Sequence, residues 1–154
     1  VFMDIKLALY DFDGVMTDNK VLIDENGLES VIVNRSDGLA VKLIDEMGIK
    51  QIIISTESNK VVNKRAQKLG IECKQNLENK ASVVEELSKN LSITKDEIAF
   101  IGNDINDLEA MRIVGFPLCP CDASKEIKDL SKTILPSTGG SGVIRDFYDF
   151  LINN

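Results

Sequence analysis

Ile5-Lys6-Leu7-Ala8-Leu9-Tyr10-Asp11-Phe12-Asp13-Gly14-Val15-Met16-Thr17-Asp18 decides how the rest of this chain is read. Its first half is a short apolar run closed by acids and a glycine, the pattern of a buried strand. The run delivers Asp11 and Asp13 to the strand's C-terminal end, which is where ligands bind in open α/β sheets. Side chains two residues apart on extended backbone share a direction, so the two carboxylates can converge before the chain turns at Gly14. Adjacent carboxylates repel unless a cation or a shared proton relieves them. The stretch therefore points to a divalent-metal site with an acidic nucleophile beside an acidic proton carrier.

Outward from that stretch, strands alternate with helices. Val21–Asp24 and Ser30–Val33, joined through Glu25-Asn26-Gly27, read as a β-hairpin within about residues 20–34. Leu39, Ala40, Leu43, Ile44 and Met47 recur at helical spacing over 37–47, with Gly48 as the stop. Strands are expected at 50–55, 71–74, 98–101, 116–119 and 133–135. Helices are expected at 58–69, 80–90, 107–114, 124–130 and 143–152. Such alternation predicts one α/β domain over residues 1–154: a parallel sheet with helices on both faces and a protruding hairpin.

Composition narrows the function classes. A formal charge of -7 leaves no basic stripe to neutralise a nucleic acid backbone. No apolar stretch approaches the roughly 20 residues of a membrane helix, and Val1-Phe2-Met3-Asp4 lacks the features of a signal peptide, so a cytoplasmic location is expected. Cys73, Cys119 and Cys121 read as reduced structural thiols rather than a zinc site. The chain has no histidine, so proton transfer at neutral pH falls to carboxylates, lysine or tyrosine.

Four groups lie at or just after expected strand ends: Asp11/Asp13, Ser55, Lys80, and Asn103-Asp104 with Asp107. Each also has a plainer reading. Ser55-Thr56 can cap the following helix, Lys80 can be a solvated surface charge, and Gly102–Asp107 can be an Asx turn. Parallel strands nevertheless bring all their C-terminal ends to one edge, which makes coincidence of all four a poor explanation.

In that order the four groups resemble the four motifs of the haloacid dehalogenase (HAD) phosphohydrolases, with Asp11–Asp18 as the first motif and Gly102–Asp107 as the fourth. The resemblance implies that Asp11 is the nucleophile that becomes an aspartyl-phosphate. It further implies that Asp13 is the general acid and base, while Ser55 and Lys80 hold phosphoryl oxygens. Mg2+ would be bound by Asp11, the Asp13 carbonyl and either Asn103 or Asp104. Relatives usually place Asp where this chain has Asn103, which removes one charge from the metal site.

The segments from Asp13 to Ser55 and from Ser55 to Lys80 are too short for a cap domain. Capless members resemble 3-deoxy-manno-octulosonate 8-phosphate phosphatases and nonulosonate 9-phosphate phosphatases, typically tetramers joined through their hairpins, with neighbouring subunits roofing each site. Substrate contacts are then expected from Gly14, Thr56, Glu57, Arg65 and Lys68, and Glu57 is similar to the acid of the nine-carbon enzymes. The expected activity is a phosphatase acting on a small phosphorylated sugar acid, as a homotetramer. The alternative is a catalytically weak oligomerisation or regulatory module of the kind attached to acylneuraminate cytidylyltransferases. Gly139-Gly140-Ser141-Gly142 reads either as a flexible connection or as a loop reaching a neighbour's site.

Overall fold

The computed structural model describes residues 4–154. Its central strand, β1 (Leu7–Tyr10), is buried on both faces. That burial is why it reads as a continuous apolar run rather than an alternating one. The chain then forms β2 (Leu22–Ile23), β3 (Glu29–Ser30), α1 (Arg35–Glu46), β4 (Lys50–Ile54), α2 (Lys60–Leu69), β5 (Glu72–Lys74) and α3 (Lys80–Asn90). A 3₁₀ turn precedes β6 (Ile98–Ile101) and another precedes α4 (Leu108–Ile113). β7 (Phe116–Pro120), α5 (Lys125–Leu130), β8 (Thr133–Leu135) and α6 (Val143–Ile152) complete it.

Six strands pair in the order β5-β4-β1-β6-β7-β8, every pair parallel. The chain runs outward from β1 on one side through β4 and β5. It then crosses to β6 on the other side, so the topological switch point lies beside β1. Pleating sorts the core into two layers. Ala8 and Tyr10 pack with Ala40, Ile44, Val62 and Phe147 of α1, α2 and α6, while Leu7 and Leu9 pack with Val84, Leu87, Met111 and Ile127 of α3, α4 and α5. No cap domain is present among the described residues.

Several boundaries differ from expectation, each for a local reason. The first helix starts at Arg35, not Asp37, because the Asn34 side chain accepts from Ser36 N at 2.8 Å and caps it. Ser55-Thr56 does not cap the second helix; Asn59 does, accepting from Val61 N at 3.0 Å. The hairpin holds its turn, with Asp24 Oδ1 accepting from Asn26 N (2.8 Å) and Leu28 N (3.0 Å), but pairs only at Leu22–Ser30 and Ile23–Glu29. Val31 and Val33 pack against the core, but the outer apolar side chains do not, which leaves Leu22 73% and Ile32 84% exposed. The glycine-rich 139–142 loop packs against the turn that follows β1 in its own chain: Gly140 N donates to the Val15 carbonyl at 3.1 Å. A Cβ at Gly139 would sit 2.2 Å from the Gly14 carbonyl oxygen.

Candidate active site

Register assembles the site. Tyr10 stands level with Ile53 of β4 and Ile101 of β6, so the residues just beyond them emerge along one edge at the switch point. Asp11 N donates to the Ile101 carbonyl at 3.0 Å, which seats Asp11 beside Gly102 and Asn103. Asp11, Asp13, Ser55, Thr56, Glu57, Asn103 and Asp104 all line one open cleft of about 310 Å³.

Asp11 is buried, and its two oxygens have different surroundings. Oδ1 accepts from Phe12 N (2.8 Å) and from Lys80 Nζ (3.1 Å). Oδ2 faces the Asn103 amide, as does the Asp13 carbonyl oxygen. Lys80 is not a surface charge. It lies buried beneath Asp11 and binds Asp107 Oδ1 at 2.7 Å. Asp107 in turn accepts Asn103 N through Oδ2 at 3.0 Å, so one buried carboxylate holds both the lysine and the turn that presents Asn103. Asp107 belongs to the fourth motif in the sequence, but nothing in a linear pattern pairs positions 80 and 107, so its role shows only in the fold.

Burial, reinforced by the neighbouring Asp107, pushes the Asp11 carboxyl well above the usual range, with Lys80 opposing it. Burial, then Glu57 and Glu29, push Asp13 upward as well. For Lys80, burial works against the charge, but Asp11 and Asp107 outweigh it and the net shift is upward. A carboxyl biased toward its protonated form is what an acid catalyst without histidine requires.

The expected metal ligands separate here. Asn103 meets the acid pair; Asp104 does not, because its exposed side chain turns to accept Ile105 N at 2.8 Å and caps the 3₁₀ turn. Gly14, expected against substrate, instead makes room for Asn103. A Cβ there would lie 1.9 Å from Asn103 Nδ2, and its φ of +86° suits glycine. Ser55 is buried, its Oγ accepting Glu57 N at 3.1 Å. Arg65 and Lys68 do not reach the acid cleft of their own chain. Arg65 donates to the Asn34 carbonyl (3.1 Å), and both line a separate basic depression with Arg35 and Lys42, about 460 Å³ in volume.

A parallel sheet with an acid pair at its switch point, braced by a buried lysine, is the construction of an α/β phosphohydrolase. The profile of haloacid dehalogenase-like hydrolases matches residues 41–146. The 3-deoxy-D-manno-octulosonate 8-phosphate phosphatase of Haemophilus influenzae is 29% identical over 151 residues, 97% of this chain and 83% of that protein. Among solved structures, a HAD family hydrolase from Streptomyces avermitilis is 34% identical with a TM-score of 0.94, covering 97% of this chain and 86% of that one. The octulosonate 8-phosphate phosphatase of Moraxella catarrhalis, solved with magnesium, phosphate and KDO, is 30% identical with a TM-score of 0.94, over 98% of this chain and 87% of that one. The chain belongs to the haloacid dehalogenase-like hydrolases, in the octulosonate 8-phosphate phosphatase branch, and is a phosphatase.

The residues present fit the divalent cation that this family implies. Among the described residues no trio of His, Cys, Asp or Glu side chains converges, but the donors here are of other kinds: one carboxylate oxygen, one backbone carbonyl and one amide. With the Asn103 amide seated one way, Nδ2 donates to Asp11 Oδ2 (2.8 Å) and to the Asp13 carbonyl (3.1 Å); seated the other way, three oxygens face one another with no donor between them. Only a cation makes the second arrangement favourable.

Proposed function

We propose that the chain is a magnesium-dependent phosphomonoesterase that releases phosphate from a sugar acid phosphorylated at its terminal carbon, through an aspartyl-phosphate. The observation that carries this reading is the asymmetric Asp11 carboxylate, with Oδ1 fixed by Phe12 N and Lys80 while Oδ2 joins the oxygen cradle. Asp11 Oδ1 attacks phosphorus as the ester P–O bond breaks, and Asp13 gives its proton to the departing alcohol oxygen. Asp13 then takes a proton from the water that attacks phosphorus and frees Asp11. The Ser55 hydroxyl and the Lys80 ammonium steady the phosphoryl oxygens. Asp11, the Asp13 carbonyl and Asn103 would hold Mg2+, which would supply neutralisation of phosphoryl charge when bound.

Glu57 favours a nonulosonate 9-phosphate over an octulosonate 8-phosphate, with a product that feeds sialic-acid-type glycan synthesis in the cytoplasm. A homotetramer is part of the same proposal. The bare apolar hairpin supports it, and so does the charge layout: an acidic cleft and a basic depression at Arg65 and Lys68 on one chain suit contact between copies. Neutral Asn103 is the feature that favours the second reading, a weakly active module that regulates a cytidylyltransferase.

The test is phosphate release from both sugar acid phosphates, with and without Mg2+. Asp11→Asn is expected to lower turnover roughly a thousandfold or more. Turnover equal to wild type in that variant removes the nucleophile assignment, and no turnover by wild type leaves the regulatory reading.

A further inference from the structure

A second cavity, about 200 Å³, opens beside the phosphoryl cleft. The two share Asp13, Asn19 and Glu57, but Asp11 lines only the first. In an in-line displacement the nucleophile and the leaving oxygen lie on opposite sides of phosphorus, and the acid stands next to the leaving oxygen. The cavity that holds Asp13 without Asp11 is therefore on the leaving-group side.

We infer that this cavity is a leaving-group subsite that reads hydroxyls through the Asn19 amide and the Glu29 carboxylate, and that the hairpin is its wall. Its floor is apolar, from Phe12 and Val62, and its rim carries Asn19, Glu29, Glu57 and Asn59. No Lys or Arg among the described residues lines it. A rim of amides and carboxylates suits the carbinol groups of a polyol and repels a carboxylate. The substrate thus enters with its phosphorylated, hydroxyl-bearing end, and its carboxylate is directed away.

Glu29 is fixed for this by Asn59 Nδ2, which donates to its Oε2 at 2.8 Å. Gln75 Nε2 clamps the opposite wall by donating to the carbonyls of Glu57 (3.1 Å) and Asn59 (2.8 Å), leaving the Glu57 carboxylate toward the cavity. Asn19 has a left-handed backbone, φ +69°, which a glycine would adopt at no cost. The side chain carried at that position places an amide where both cavities meet.

The inference rests on the phosphatase reading, and one experiment separates the two. Asn19→Gly keeps the backbone conformation and removes only the amide; Glu29→Ala removes the hairpin's acceptor. Each is assayed on octulosonate 8-phosphate, a nonulosonate 9-phosphate, a hexose 6-phosphate and acetyl phosphate, whose leaving group has no hydroxyl. The ratio of kcat/KM on the best sugar phosphate to kcat/KM on acetyl phosphate is expected to fall about five- to twentyfold in each variant, mainly through KM. A ratio within twofold of wild type in both variants overturns the subsite while leaving the phosphatase intact, since mere distortion of the catalytic turn slows all substrates together. Failure of wild type on every phosphorylated sugar overturns both.

Discussion

Asn103 shows what a single side chain sets. Its amide stands beside Asp11 Oδ2 and the Asp13 carbonyl, and it can do so because Gly14 offers no Cβ to collide with it. The neutral amide leaves Asp11 as the one side-chain carboxylate in the oxygen cradle. Asn103→Asp adds a second charge within a few ångströms of the cation. Calorimetric titration of the variant with MgCl2 is expected to show about tenfold tighter binding, and unchanged affinity would place the cation elsewhere. The acid pair itself was legible in the sequence because its two members are neighbours on one strand end. Asp107 was not, since its importance comes from a buried lysine 27 positions earlier that only folding brings to it.

Between elements, Asp37 ties two helices together. Near the start of α1, it accepts Ile144 N (3.1 Å) and Arg145 N (3.4 Å) at the start of α6, while its Oδ2 is buried without a partner. Burial raises its carboxyl to about 6, against which the two backbone donors and Arg65 pull down. The folded chain therefore holds this proton at a pH where the unfolded chain, near 3.9, has lost it. The corresponding stabilisation is full below pH 4 and is lost as the pH rises through about 6. Urea unfolding of wild type and Asp37→Asn should show a stability difference that changes by about 2 kcal/mol between pH 4 and pH 7, with wild type relatively weaker at pH 7. A constant difference would refute the shift. The helices themselves were legible from periodicity, but the starts of α1 and α2 were not. Their caps, Asn34 and Asn59, lie in polar stretches where several residues could serve equally. The rotation of α2 was equally hidden: helical spacing says that Arg65 and Lys68 share a region, not that this region faces away from the acids.

Across the whole molecule, apolar surface is buried on both faces of the sheet but left bare on the hairpin. A ribbon of two-residue strands has little stability of its own, and Leu22, Ile23, Leu28 and Ile32 stand in water. If copies associate through it, the double variant Leu22→Asp/Ile32→Asp should sediment as a monomer with a folded circular dichroism spectrum, where wild type sediments as a tetramer. A wild-type monomer at micromolar concentration would dispose of the assembly. The parallel sheet was legible because each strand carries its own apolar signal. The short extent of the hairpin pairing was not, because Val and Ile favour strands whether or not a layer exists to receive them.

The approach of Gly139 to the carbonyl of Gly14 has a consequence for how the enzyme comes into being. The turn that presents the acids is propped from behind by backbone made more than a hundred residues later in synthesis. A nascent chain that has emerged only as far as β7 already contains every acid of the cleft and its lysine, and the turn has its own bonds, Met16 N to the Phe12 carbonyl (2.8 Å) and Gly14 N to Thr17 Oγ1 (3.3 Å), but it lacks the backing of Gly139 and Gly140. The turn should therefore take its final shape during translation only once the glycine strap has left the ribosome, later than the last catalytic side chain.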